Sequence, residues 1–131
     1  MRQEHCRPLD RAGIFEVLRC APHCVLAVAE NDQPYAVPMY YFWKFSGGRL
    51  WFLLCSDKCG CKMSCMRNNS KVALLFELPG ENCTKTVVAK GKVLRFCNED
   101  CEDDDVIIEI LATSVTGREH PNKCHERSWL R

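Results

Sequence analysis

Residues 34–45 read PYAVPMYYFWKF. Successive side chains of a strand point to opposite faces of its sheet. Alternation therefore puts Tyr35, Val37, Met39, Tyr41, Trp43 and Phe45 on one face and Ala36, Pro38, Tyr40, Phe42 and Lys44 on the other. Both faces are largely apolar, so neither can simply face water. A barrel interior can cover one of them, and a ligand or a second subunit must cover the other. Pro38 has no N–H to give to a ladder, which places it at a strand edge or a bulge and leaves nearby backbone open to a ligand.

The rest of the chain supplies short strands around this one. Helical spacing over 9–20 sets Ile14, Phe15 and Leu18 on one face, with Asp10 as N-cap and Pro22 beyond the end. A Val-rich run at 24–29 reads as a strand, and Glu30-Asn31-Asp32-Gln33 is turn chemistry. Ser46-Gly47-Gly48-Arg49 closes a hairpin whose return strand is 50–55. A short helix over 60–67 stops at Asn68-Asn69-Ser70. Further strands are expected at 71–77, 86–96 (with Gly91 at a bulge) and 106–116, the last ended by Gly117-Arg118. Residues 78–85 read as a loop, 98–105 as an acidic solvated loop, 1–8 as an arm and 119–131 as a tail. This sums to one mainly β domain over 1–131: a six-stranded antiparallel barrel with one or two short helices.

Composition removes several function classes. A formal net charge of +1 argues against a dedicated nucleic-acid binder. No apolar run approaches the roughly 18 residues that a membrane helix needs. The charged opening MRQEHCRPLDR is not a secretory signal, so a cytoplasmic location is expected. The eleven cysteines are then expected to be reduced and mostly structural.

Three constellations bear chemistry. Lys58, Lys62, Arg67 and Lys71, with the Ser56 hydroxyl, form the densest basic cluster, on a loop that enters a helix. Cations and free N–H groups there suit a phosphate, although a solvated charged helix face has the same composition. Met39, Tyr40, Tyr41 and Trp51 could wall a slot for a flat aromatic ring, or simply fill the core. Cys55, Cys59, Cys61 and Cys65 could hold zinc or an iron–sulfur cluster, but their spacing lacks the paired C-x2-C pattern and no metal site is assigned. A redox thiol at Cys55, activated by Lys58 or Lys62, is a further reading. His120, Cys124 and His125 form a polar end, and Trp129 could cap a pocket or dock on a partner. No catalytic acid or base stands out.

The order of these motifs resembles the pyridoxamine 5′-phosphate oxidase-like flavoproteins, and most of all the subgroup with the 5-nitroimidazole-resistance proteins. The matching elements are the opening helix followed by Ala21-Pro22-His23-Cys24-Val25-Leu26-Ala27-Val28, then Gln33-Pro34-Tyr35-Ala36-Val37-Pro38-Met39-Tyr40-Tyr41. Leu50-Trp51-Phe52, Gly60-Cys61-Lys62, Arg67-Asn68-Asn69-Ser70-Lys71-Val72, Gly91-Lys92-Val93 and Thr116-Gly117-Arg118 follow in order. The similarity spans about 8–118. It implies a split β-barrel that binds FMN, works as a homodimer with flavin at the interface, and acts as an oxidoreductase on a small acceptor such as a nitroaromatic. Val37, Pro38, Met39, Tyr40 and Tyr41 would lie along the isoalloxazine ring, and Ser56 and Lys62 would hold the phosphate. Cys55 stands where the subgroup often has a histidine near the flavin. Relatives commonly carry a longer helical segment where this chain has only the acidic stretch. The alternatives are a non-catalytic flavin or haem binder and a thiol-metal protein built on the 55–65 cysteines.

Overall fold

The structure is a computed structural model that describes residues 6–97 and 105–122. Of the expected acidic loop at 98–105 only Asp105 is described, as a strand residue, and Cys101, Cys124, His125 and Trp129 lie outside the described residues. Among those described, the elements in order are β1 (Arg7–Pro8), α1 (Arg11–Cys20), β2 (Cys24–Glu30), β3 (Gln33–Met39), β4 (Tyr41–Ser46), β5 (Arg49–Asp57), α2 (Cys61–Asn68), β6 (Lys71–Pro79), β7 (Cys83–Cys97) and β8 (Asp105–Pro121). They form a single eight-stranded antiparallel sheet in the order β3-β2-β6-β7-β8-β5-β4, with β1 paired to β8.

The two ends of that path are β3 and β4, which are consecutive in sequence and separated only by Tyr40. The sheet therefore curls until its two edges meet at one residue, and the barrel closes through the chain rather than through a ladder. The expected single strand at 34–45 is thus two strands on opposite edges. That break, together with the short β1, turns the expected six strands into eight. Alternation survives across the break. Val37, Met39, Tyr41 and Trp43 pack on the core, while Ala36, Pro38, Tyr40, Phe42 and Lys44 are exposed.

The interior is built mainly from alternate residues of β2, β5, β6, β7 and β8. Leu26 and Val28 of β2, Leu50, Phe52 and Leu54 of β5, Val72, Leu74 and Phe76 of β6, and Val106, Ile108 and Ile110 of β8 are buried. Phe76 sits between Tyr41 and Phe52, with ring centroids at 4.8 and 5.2 Å. Helix α1 packs against β6, β7 and β8 and buries Val17 and Leu18. Asp10 caps it as expected, its Oδ1 accepting from the Gly13 N–H at 2.8 Å.

Two expected boundaries move. The loop read at 78–85 shrinks because β6 and β7 extend to pair Pro79 with Thr84. Strand β8 runs through Gly117 instead of ending there. A Cβ at Gly117 would lie 3.0 Å from side-chain atoms of Ile14 and Leu9, so this glycine makes room for α1 and does not stop the strand. Residues 119–121, read as tail, continue β8 opposite β7. Gly91 does mark a bulge: the β7–β8 register shifts between Lys90 and Gly91, and a Cβ there would collide with the Leu111 carbonyl oxygen. No helix among the described residues is long and apolar enough to cross a membrane.

Candidate functional site

Strand β5 leads from the barrel wall into a three-residue loop and then α2. Gly60, at φ 114°, takes a conformation that side chains rarely tolerate and starts the helix with no side-chain cap. The first N–H groups of a helix have no partner within it. Those of α2 are therefore left to solvent or to an anion. Lys58 and Lys62 flank them, both half-buried.

The other end of α2 is tied down. Asn68 donates Nδ2–H to Glu30 Oε2 at 2.6 Å, and Ser64 donates its hydroxyl to Glu30 Oε1 at 3.1 Å. Asn69 donates to the Ala29 carbonyl at 3.1 Å and accepts from the Lys71 N–H at 3.1 Å. Met63, Cys65 and Met66 are buried beneath the helix, which packs on β2 and β3. Sequence reasoning took Glu30 for a turn residue. Its role as the anchor of α2 depends on a contact across 34 and 38 residues of chain, and no local pattern signals it.

The expected ring-binding residues divide by face. Met39 is buried and Val37 half-buried, both toward the core. The Tyr41 hydroxyl donates to the Leu18 carbonyl at 2.7 Å and lies 3.3 Å from that of Ala21, so it locks the end of α1. Burial, with Cys24 and Cys20 nearby, pushes the Tyr41 phenol up to about 12. Pro38 and Tyr40 point outward, with Tyr40 82% and the adjacent Phe42 74% exposed. Among the described residues β3 pairs only with β2, and β4 only with β5, so there each carries one unpaired backbone edge leading to Tyr40.

The expected phosphate-binding residues divide too. Ser56 is 6% exposed, faces inward like Leu54 and Phe52, and donates its hydroxyl to the Asp57 carbonyl at 3.0 Å. Cys55 faces out. Arg67 lies at the far end of α2 with its guanidinium 4.8 Å from the Phe96 ring centroid, and Lys71 lies beyond it on β6. The four expected cations thus separate into Lys58 and Lys62 at the start of α2 and Arg67 and Lys71 at its end.

The described cysteines lie scattered over the barrel and α2. Among the described residues, no three or more His, Cys, Asp or Glu side chains are grouped to hold a metal. Nine cysteines fall among these residues, all as free thiols, with only Cys24 and Cys65 fully buried. Burial raises the Cys65 thiol, and Cys61 and Glu30 beside it raise it further, which disfavours a thiolate there.

No protein-family model matches this chain. An uncharacterised protein of Rhizobium meliloti (strain 1021) is 34% identical over 93 residues, 70% of this chain and 53% of that one. The chain thus spans about half the length of the curated relative it matches. Among solved structures, a FAD-binding protein from Mesorhizobium loti is 26% identical, with a TM-score of 0.70 over 87% of this chain and 97% of that one. A candidate 5-nitroimidazole antibiotic resistance protein from Bacteroides thetaiotaomicron reaches a TM-score of 0.75 at 16% identity, over 88% of both chains. A candidate pyridoxamine 5′-phosphate oxidase from Corynebacterium glutamicum reaches 0.70 at 15% identity, over 94% of this chain and 99% of that one. This chain has the pyridoxamine 5′-phosphate oxidase-like split-barrel fold. The resemblance read from the ordered motifs is borne out at that level. Within this split barrel, the register sets Tyr41 opposite Leu54, so the break at Tyr40 lies toward the end of β5 that leads into the α2 loop, and this region is the candidate site.

Proposed function

We propose that this split barrel binds FMN as a homodimer and works as a flavin-dependent oxidoreductase on a small acceptor. The observation that carries the reading is the uncapped helix start, flanked by Lys58 and Lys62, which follows the end of β5 that the register sets next to the β3–β4 break at Tyr40. A phosphate dianion can accept from the amides at the helix start and from the Lys62 ammonium. The residues present fit it through Lys62 and the 61–63 amides, whereas Ser56 would have to turn its hydroxyl away from the Asp57 carbonyl to take part. The exposed edges of β3 and β4 offer backbone groups to the polar rim of a flat ring. Tyr40 and Phe42 form an exposed apolar surface that a ring and a second subunit would cover.

When bound, the flavin supplies the electron transfer itself, and the chain's residues bind, orient and exclude water. The absence of an evident catalytic acid or base agrees with that division of labour. The FAD-binding protein from Mesorhizobium loti, built on the same fold, supports a flavin-type cofactor. The test is an absorbance spectrum of the purified protein, mass analysis of what heat releases, and turnover with a reduced nicotinamide and a nitroaromatic. Released FMN with turnover supports the whole reading. Bound FMN without turnover leaves a flavin carrier.

A further inference from the structure

At the far end of β5 from the α2 loop, a cavity of about 650 Å³ opens between α1, the β4–β5 hairpin and β8. Eight residue steps of β5 separate Arg49 from Asp57, roughly 26 Å at about 3.3 Å per step, so this cavity is distinct from the candidate flavin site. Its position follows from two local features. The glycine hairpin at Gly47 and Gly48 carries Phe45 and Arg49 over the start of α1. The bulge opposite Gly91 displaces β8 and sets Leu111 and Ser114 along the opposite side.

The lining has a definite chemistry. Phe15 stacks on Trp43 at 5.6 Å and meets Phe45 edge-on at 5.3 Å, giving one wall of rigid aromatic surface. Leu111 adds apolar surface across from it. Arg11 lies with its guanidinium carbon 5.1 Å from the Phe45 ring centroid, and Arg49 stands at the rim. The lining contains no Asp or Glu, and neither arginine makes an ion pair among the described residues. Two guanidinium groups facing an apolar slot favour a ligand with a planar apolar body and an anionic end that can take forked hydrogen bonds. The Ser114 hydroxyl offers a third donor.

We propose that this cavity is a binding site for a small aromatic carboxylate, with Arg11 and Arg49 taking the carboxylate and the Phe15–Phe45 wall taking the ring. The site stands on its own and does not depend on flavin binding. The test titrates naphthoate, naphthamide and inorganic phosphate into the full chain, with any flavin it carries left in place. Calorimetry gives affinity and amide shifts give location. Naphthoate is expected to bind with shifts centred on 11–15, 45–50 and 111–115. Naphthamide and phosphate should each bind at least about tenfold more weakly, since a charge-assisted hydrogen bond carries roughly that factor or more. Arg11→Gln and Arg49→Gln, both at exposed positions, should each weaken naphthoate by about tenfold to a hundredfold. Ser114→Phe, which fills the cavity and leaves both charges, should also abolish binding. The proposal is overturned if naphthoate does not bind, if naphthamide or phosphate binds as tightly, if the shifts map to α2, or if binding survives all three substitutions.

Discussion

Helix α1 starts with a side-chain cap from Asp10, buries Val17 and Leu18, and has its last carbonyls held by the Tyr41 hydroxyl. Helix α2 starts at Gly60 with no side-chain cap, and its hydrogen bonds to Glu30 and Ala29 run from its middle, at Ser64, to its far end. One barrel thus carries a helix satisfied at both ends, which closes the fold, and a helix held at one end, which presents its other end. With glycine at the cap position, the missing side-chain cap costs only roughly a few tenths of a kcal/mol. A fold keeps such a terminus at little cost if something else satisfies it, and a bound anion does so. The contrast separates groups that hold the barrel from groups that meet a ligand.

The largest expected effect tests the closing helix. Leu18→Ala should cost about 2–5 kcal/mol of stability, measured by denaturant unfolding, because it leaves a cavity under α1. FMN affinity of the molecules that stay folded should not change. A drop in affinity would mean that the two helices are not separable.

Next is Lys62→Ala, which should weaken FMN by about 1.5–3 kcal/mol, the range of a charge-assisted hydrogen bond, and leave unfolding nearly unchanged. Ser56→Ala should weaken FMN less, because its hydroxyl is already engaged with the Asp57 carbonyl. The reverse ranking would put the phosphate on the inner side of β5.

Tyr41 and Cys24 sharpen the comparison through pH. Burial raises the Cys24 thiol from 9.0 to about 12 and, with Cys24 and Cys20, the Tyr41 phenol from 10.0 to about 12. Both groups are neutral when folded and ionise earlier when unfolded. Their contribution is therefore fully present at neutral pH and is lost as pH rises from about 9 to 12. Tyr41→Phe should cost about 1 kcal/mol at neutral pH, the worth of a neutral hydrogen bond, and flatten the upper part of that alkaline loss. The smallest effect in the series should come from Glu16→Gln. The Glu16–Lys85 ion pair ties α1 to β7 at 2.6 Å but is exposed to solvent, which screens it, so its loss should barely move the unfolding midpoint.

The local grammar of this fold was legible in the sequence. Asp10 as a cap, Gly47-Gly48 as a hairpin, Gly91 as a bulge and the inward alternation of Val37, Met39 and Tyr41 all follow from rules that operate within a few residues. The break at Tyr40 did not follow: Pro38 signalled a strand edge, but the apolar alternation runs on through Phe45 with no turn residue to stop it. Sheet closure decides it, by sending β3 and β4 to opposite edges. Gly117 was misread as a stop for a related reason: its lack of a side chain serves α1, an element some hundred residues earlier. In the candidate site, the spacing of Lys58, Gly60 and Lys62 pointed to the start of α2. It could not show that the Ser56 hydroxyl turns inward, that the Tyr41 hydroxyl is committed to α1, or that Glu30 anchors the helix. Each of those depends on a partner distant in the chain.

The most direct test of the account is the absorbance spectrum of the purified protein, read with and without added FMN. The account predicts flavin bands and FMN among the heat-released material, or stoichiometric uptake if the protein is purified empty. A colourless protein that takes up no FMN would contradict it, and the uncapped start of α2 would then need another anion.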